Sequence, residues 1–359
     1  MTGKFNHSFK HLALVSAALG LVATAVHAAE QTAAPAPAVQ SAAAALGHPA
    51  EVAIQDTKRI DFVSSVNGRR YSIDVALPST PPPPAGYPVI YVIDGYGYFA
   101  SVTEAARGNG NAPNMVVVGI SYPRDDAWAE SVLSKHRPLP PMFAGYAPFQ
   151  LAAGIERQHD LTLAADENTL RQLKTSGMNG TAADFNGLDG FLQMIEADIK
   201  PRVYGLAKIN HGDQTLFGHS LGGLAVIEAL FTEPTAYRTY VAASPSIWWG
   251  RNLVLGNEAS FRAAVSAGKA SPRVLIEVGG EEETVPVLPP EMADRKAAIE
   301  ASVKRSRMIG NACDLADRLK ALSGVNGYKV AGCITFPGQG HGISVWPAIG
   351  QALTFATRP

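Results

Sequence analysis

Just past the middle of the chain, FGHSLGGLA (Phe217 to Ala225) carries Gly218-x-Ser220-x-Gly222. A serine between two glycines at this spacing suits a nucleophile on a sharp turn, and its chemistry would be attack on an acyl carbon. Any glycine-rich turn can also hold this short pattern, so its meaning rests on its partners. A nucleophilic serine needs a base. The chain has nine histidines, and in the order nucleophile, acid, histidine the base must follow Ser220. His341, in the loop GQGHGIS, does so. His219 adjoins the serine, but at such a turn it must point away from it, so its expected role is structural. Between Ser220 and His341, PRVLIEVGG runs into Glu281-Glu282-Glu283. One of these carboxylates would hold the imidazole's tautomer and stabilise the imidazolium. The run does not decide which, and the competing reading is three solvated charges beside a Ser-His dyad. A developing oxyanion needs two backbone N–H donors. Leu221, after the nucleophile, supplies one; the other is expected from DGYGYF (Asp94 to Phe99), at Tyr96 or, next, Gly95.

These residues need a scaffold that brings loops together, and the surrounding pattern supplies one. VIYVID (Val89 to Asp94) and MVVVGISY (Met115 to Tyr122) are nearly unbroken apolar runs, as expected of strands buried on both faces of a parallel sheet. Asp213 to Phe217 reads as the strand before the serine turn and Leu224 to Phe231 as the helix after it. Further strands are expected over Arg238 to Ser244, Pro272 to Gly280 and Tyr328 to Gly338. Helices are expected over Phe99 to Arg107, Gly187 to Val203 and a long Ala293 to Leu322, with VWPAIGQALTFA the last. Near the start, Asp61 to Leu77 reads as a hairpin turning at Asn67-Gly68. Alternating strands and helices predict an α/β fold with a mostly parallel central sheet and helices on both faces. Residues 123–186 are rich in Pro, Gly and mixed polar residues with weak periodicity, and a segment this long between core elements reads as an active-site insertion.

The N-terminus predicts export. Lys4, Lys10 and His11 precede the apolar run Leu12 to Val26, which is short for a membrane span, and Val26-His27-Ala28 has small residues at both ends. Residues 1–28 are expected to be a signal peptide cut before Ala29, with an N-terminal membrane anchor the competing reading. An Ala/Pro-rich tether follows over 29–50, then one catalytic domain over 51–359, and no later segment is apolar enough to span a membrane. The mature chain is therefore expected in the periplasm or outside the cell. There Cys313 and Cys333 are expected to pair, closing a loop worth about 3 kcal/mol by the chain-entropy estimate; two buried free thiols are the alternative. No metal spacing is visible and no cofactor is required. With 17% charged residues and a formal charge of −1, nothing argues for nucleic acid or an anionic membrane surface as a partner.

VIYVIDGYGYF, VVVGISYP, ERQHDLT (Glu156 to Thr162), GLDGFLQMIEADIKPRV, LFGHSLGGLAVIEALF, SPSIWW (Ser244 to Trp249) and FPGQGHG occur in order. From about 60 to 355 the chain thereby resembles the putative-esterase (esterase D-like) family of α/β-hydrolases, and its siderophore (enterobactin/salmochelin) esterase branch most. The resemblance implies an α/β-hydrolase fold, and a V-G-E-x-E-like turn matched onto Val278 to Glu282 points to Glu282 as the acid. The chain departs from the pattern at Leu163, where the family has Pro, and in the length of Pro123 to Ile155. Trp248 and Trp249 would wall the substrate, or pack the core. Arg157 and Arg124 would meet an anionic substrate such as a ferric catecholate; for Arg157 the alternative is an ion pair with Asp160. The expected reaction is serine-dependent hydrolysis of a small-molecule ester through an acyl-enzyme. The rivals are acyl transfer to an alcohol, a thioesterase of the S-formylglutathione type, a feruloyl or acetylxylan esterase, and a non-catalytic binder on a hydrolase scaffold.

Overall fold

The apolar runs assemble into one eight-stranded sheet of order β1-β2-β4-β3-β5-β6-β7-β8. The computed structural model describes residues 53–358 apart from 109–113, 138, 140–144, 176–179, 286, 289–292 and 294–295. The expected signal and tether lie outside these residues. The strands are β1 (Thr57–Val63), β2 (Arg70–Ala76), β3 (Tyr87–Val92), β4 (Val116–Ser121), β5 (Ile209–His219), β6 (Thr239–Ala243), β7 (Arg273–Gly279) and β8 (Lys329–Phe336). β2 pairs antiparallel with both β1 and β4, and every other pairing is parallel. Every residue of β4, β6 and β7 is buried, as their continuous apolar runs require for strands covered on both faces.

Helices cover both faces. On one, α1 (Gly95–Gly108) and α11 (Val345–Thr357) bury Phe99, Val102, Ile349 and Leu353. On the other lie α5 (Leu188–Met194), α7 (Leu221–Thr232) and α10 (Met308–Lys320), with Phe191, Leu224 and Leu315 in the larger core. α7 is buried from Leu221 to Phe231, apolar over that stretch except for Glu228, and lies against the middle of the sheet. The chain runs from β3 outward to β4 and then returns to β5 on the other side of β3. Loops at the carboxyl ends of β3 and β5 therefore diverge and leave a crevice, the usual place for a ligand in an open α/β sheet. The turn after β5 carries Ser220, and the loop after β3 leads into Tyr96 at the start of α1.

Three expectations change. The hairpin forms, but its connection is the six-residue stretch 64–69 rather than a two-residue turn: Val63 pairs with Arg70. Ser64 and Ser65 are drawn down onto the buried carboxylate of Asp198, which accepts both hydroxyls at 2.8 Å. The long helix expected over 293–322 is two: α9 (Lys296–Ser306) and α10, broken where Arg307 takes φ 42°. The insertion is largely helical, with α2 (Asp126–Leu133), α3 (Pro148–Asp160) and α4 (Glu167–Thr175) among its described residues. Cys313 on α10 and Cys333 on β8 form a disulfide.

Candidate active site

Ser220 stands between β5 and α7 with φ 61° and ψ −118°, a strained conformation for a residue with a side chain. The turn closes so tightly that a Cβ on Gly218 would lie 2.2 Å from the Gly222 carbonyl oxygen, so only glycine fits there. A Cβ on Gly222 would come 3.2 Å from Ile93 and 3.4 Å from an Asp94 carboxylate oxygen. The start of α7 thus touches the loop after β3.

His341 Nε2 lies 2.9 Å from Ser220 Oγ, and its Nδ1 lies 2.7 Å from Glu282 Oε2. A carboxylate only accepts, so Nδ1 carries the proton, Nε2 accepts, and the serine hydroxyl donates to it. The side chain of Glu282 has no exposure to solvent. Burial alone would raise its pKa. Donation from His341, from the Ser244 hydroxyl and from the Gly279 N–H (2.7 Å) outweighs burial and holds it below the usual carboxylate value. The Ser344 hydroxyl is a further neighbour at 3.2 Å. The other two carboxylates of the run face elsewhere: Glu281 accepts from the Thr284 hydroxyl and Glu283 from the Gly310 N–H, and both are exposed.

His219 turns its ring away from Ser220. Its Nε2–H donates to the carbonyl of His341 at 2.9 Å, and its Nδ1 faces the Tyr98 hydroxyl at 3.3 Å. Burial first, then the nearness of His341 and Arg157, hold its pKa well below the ordinary imidazole value and keep it neutral. It is a brace for the loop that bears His341.

At the expected oxyanion position, Leu221 opens α7, pointing the helix N-terminus into the crevice. Gly95 and Tyr96 form the first turn of α1, longer at its start than the sequence predicts, while the N–H groups of Gly97 and Tyr98 bond back to the Asp94 carbonyl at 2.9 and 3.3 Å. Gly95 packs directly on Gly119, where a Cβ would meet the backbone at 2.4 Å, and this sets the loop's approach to β4.

The expected substrate residues separate. Arg157 is buried: its Nε donates to Asp94 Oδ1 at 2.8 Å and its Nη2 to the His219 carbonyl at 3.3 Å. It therefore joins the loop after β3 to the serine turn instead of lying open to a substrate, and its ion pair is with Asp94 rather than Asp160. Asp160 is occupied by Tyr122, His159 and Arg69. Arg124 is exposed, 3.7 Å from Asp74 and over the Phe149 ring, which in turn meets the Tyr96 ring edge-on. Trp249 is 1% exposed, donates to the Leu163 carbonyl and packs on Phe185, so it is core; Trp248 is half-buried beside it. Sequence reasoning passed over Ser244 and Ser344, which hold Glu282. Ser244 had a signal: it ends the strand next to the serine strand, on the carboxyl side where such sites gather. Among the described residues no group of His, Cys, Asp and Glu is placed to hold a metal ion, and no helix is long and apolar enough to cross a membrane.

A nucleophile elbow between a parallel strand and a buried helix, with a histidine and an acid on later strand ends, defines the chain as an α/β-hydrolase. The solved BES protein from Bacillus cereus shares this fold, with a TM-score of 0.65 at 24% identity over 87% of this chain and 99% of that one. The family described as "Putative esterase" matches residues 164–311. The ferri-bacillibactin esterase BesA of Bacillus subtilis is 33% identical over 308 residues, 84% of this chain and 89% of that protein. The siderophore triacetylfusarinine C esterase of Aspergillus fumigatus is 27% identical over 242 residues, 66% of this chain and 70% of that one. The chain belongs to this esterase family, near its siderophore esterases, and is a carboxylic-ester hydrolase.

Proposed function

We propose that the protein hydrolyses esters through an acyl-enzyme, with Ser220 as nucleophile, His341 as general base and then acid, and Glu282 as the group that orients and charges His341. The observation that carries this reading is the single imidazole bridging Ser220 Oγ and Glu282 Oε2 at 2.9 and 2.7 Å. In attack, the Ser220 proton passes to Nε2 while Oγ bonds the acyl carbon; the imidazolium then protonates the departing alcohol. Water repeats the cycle in reverse roles and frees the acid. The N–H groups of Leu221 and Tyr96 are assigned to the oxyanion.

The proposed natural substrate is a siderophore ester, an assignment supported by the names of the relatives and by the exposed Arg124 near the Tyr96–Phe149 pair. Export is proposed with it: residues 1–28 are read as a cleaved signal, and the N-terminal sequence of the exported chain should begin at Ala29. The test of the chemistry is labelling with a fluorophosphonate probe together with hydrolysis of p-nitrophenyl acetate. The wild type should label and turn over. Ser220→Ala should do neither, with a loss of about 10⁴-fold or more in rate. Full activity in Ser220→Ala would remove the mechanism. A panel of ferric and iron-free catecholate siderophores, S-formylglutathione and feruloyl esters, run with and without an added alcohol, then identifies the ester and separates hydrolysis from acyl transfer.

A further inference from the structure

One turn, Ser244-Pro245-Ser246, touches both ends of the triad. Ser244 takes φ 44°, donates its N–H to the Glu277 carbonyl at 2.7 Å, and gives its hydroxyl to Glu282. Two residues later, Ser246 donates its N–H to the Ser220 carbonyl at 3.0 Å and places its hydroxyl 3.5 Å from Ser220 Oγ. The turn is pressed against the elbow: a Cβ on Gly223 would meet Pro245 Cα at 2.9 Å. Ser246 is 3% exposed, and among the described residues its hydroxyl has one polar neighbour, the nucleophile's oxygen. A buried hydroxyl with one partner is held to that partner.

We propose that Ser246 is a further catalytic residue of the ester-hydrolase reaction, its hydroxyl donating to Ser220 Oγ. The inference rests on the serine mechanism proposed above. The direction of donation follows from the proton count. Ser220 has one hydroxyl proton and gives it to His341 Nε2, so the proton between the two serines must come from Ser246. When Oγ attacks, its proton moves to Nε2 and its electron pair forms the bond to the acyl carbon, leaving Oγ most negative as the proton departs. When the acyl-enzyme is hydrolysed, the C–Oγ bond breaks, its electron pair returns to Oγ, and the His341 imidazolium restores the proton. At both moments Oγ carries more negative charge than at rest, so a fixed donor binds it more strongly there than in the ground state. The resting separation is long for a hydroxyl pair, as catalytic contacts commonly are before substrate tightens them.

The test compares Ser246→Ala and Ser246→Thr with wild type by the second-order rate of fluorophosphonate labelling, kcat and KM for p-nitrophenyl acetate, and thermal midpoint. Ser246→Ala should lower the labelling rate and kcat by about tenfold, with KM within twofold and the midpoint kept, the size expected for one weak donor. Ser246→Thr retains the hydroxyl and should restore most of the rate. An alanine variant within twofold of wild type overturns the inference. So does a threonine variant no faster than alanine. Failure of wild type to label at all would instead strike the serine mechanism itself.

Discussion

Glu282 shows how much chemistry one residue takes from its neighbours. Three adjacent glutamates follow β7, and only the middle one turns inward, where a histidine, a serine and a backbone N–H meet its carboxylate. Because its pKa is depressed, its ionisation adds stability that is present above the ordinary value of 4.5 and lost as pH falls through the folded value. His219 acts in the same direction at higher pH. Its folded pKa is depressed, so the unfolded chain binds the proton first, and stability falls as pH drops below the ordinary 6.5. Glu282→Gln should cut kcat/KM by roughly 10³–10⁴-fold at pH 7, since the amide cannot stabilise the imidazolium. It should also flatten the loss of stability below about pH 4.5 seen in acid denaturation followed by circular dichroism. An acid limb unchanged by the substitution would place the stabilising charge elsewhere.

At the scale of the element, the elbow is a packing problem with a glycine solution. Gly218→Ala must push the turn apart, because the new methyl carbon would sit 2.2 Å from the Gly222 oxygen. Overpacking of this kind costs about 1–3 kcal/mol or more, and here it also moves Ser220. The variant should lose most of its esterase activity and several degrees of thermal midpoint. Gly350 on α11 is the contrast: a Cβ there has open space within 4 Å, so Gly350→Ala should stabilise by about 0.5–1 kcal/mol and leave kcat unchanged. If both variants melted alike, close packing at the elbow would not be the cause.

For the whole molecule, the proposed base, His341, stands at the vulnerable side of the sheet. β8 is one of the sheet's two edge strands, half-exposed along its length, and it leads into the loop bearing His341. The Cys313–Cys333 disulfide ties that strand to α10, and at a separation of 20 residues it should contribute about 3 kcal/mol. Cys313→Ser with Cys333→Ser should therefore lower the thermal midpoint by roughly 5–10 °C, and reduction of the wild type should match it. Equal midpoints for oxidised wild type and double variant would show that β8 is held by its packing alone. The insertion binds to the centre as well. Arg157 leaves α3 to reach both Asp94 and the carbonyl of His219, so the insertion is tied directly to the loop after β3 and to the serine turn.

The layout of the sheet and two of the proposed site residues, Ser220 and His341, were legible in the chain from strand pattern, turn spacing and chain order. Unbroken apolar runs specify buried strands, the G-x-S-x-G spacing specifies a turn that only glycine can close, and chain order leaves His341 as the downstream histidine. Family resemblance, not spacing, singled out Glu282. What only the tertiary structure decided are contacts between distant segments. Arg157 was open to two readings, substrate or Asp160, and took a third partner, 63 positions away. Trp249 went to the core and Trp248 to its edge, a choice made by packing against Phe185. The six-residue hairpin loop goes with Ser64 and Ser65 finding Asp198, far along the chain. Ser244 and Ser246 were unremarked as residues, because a hydroxyl's role depends on which neighbour the folded chain sets beside it. Local pattern can name a nucleophile and its turn; only the closing of the sheet decides which hydroxyls and charges surround it.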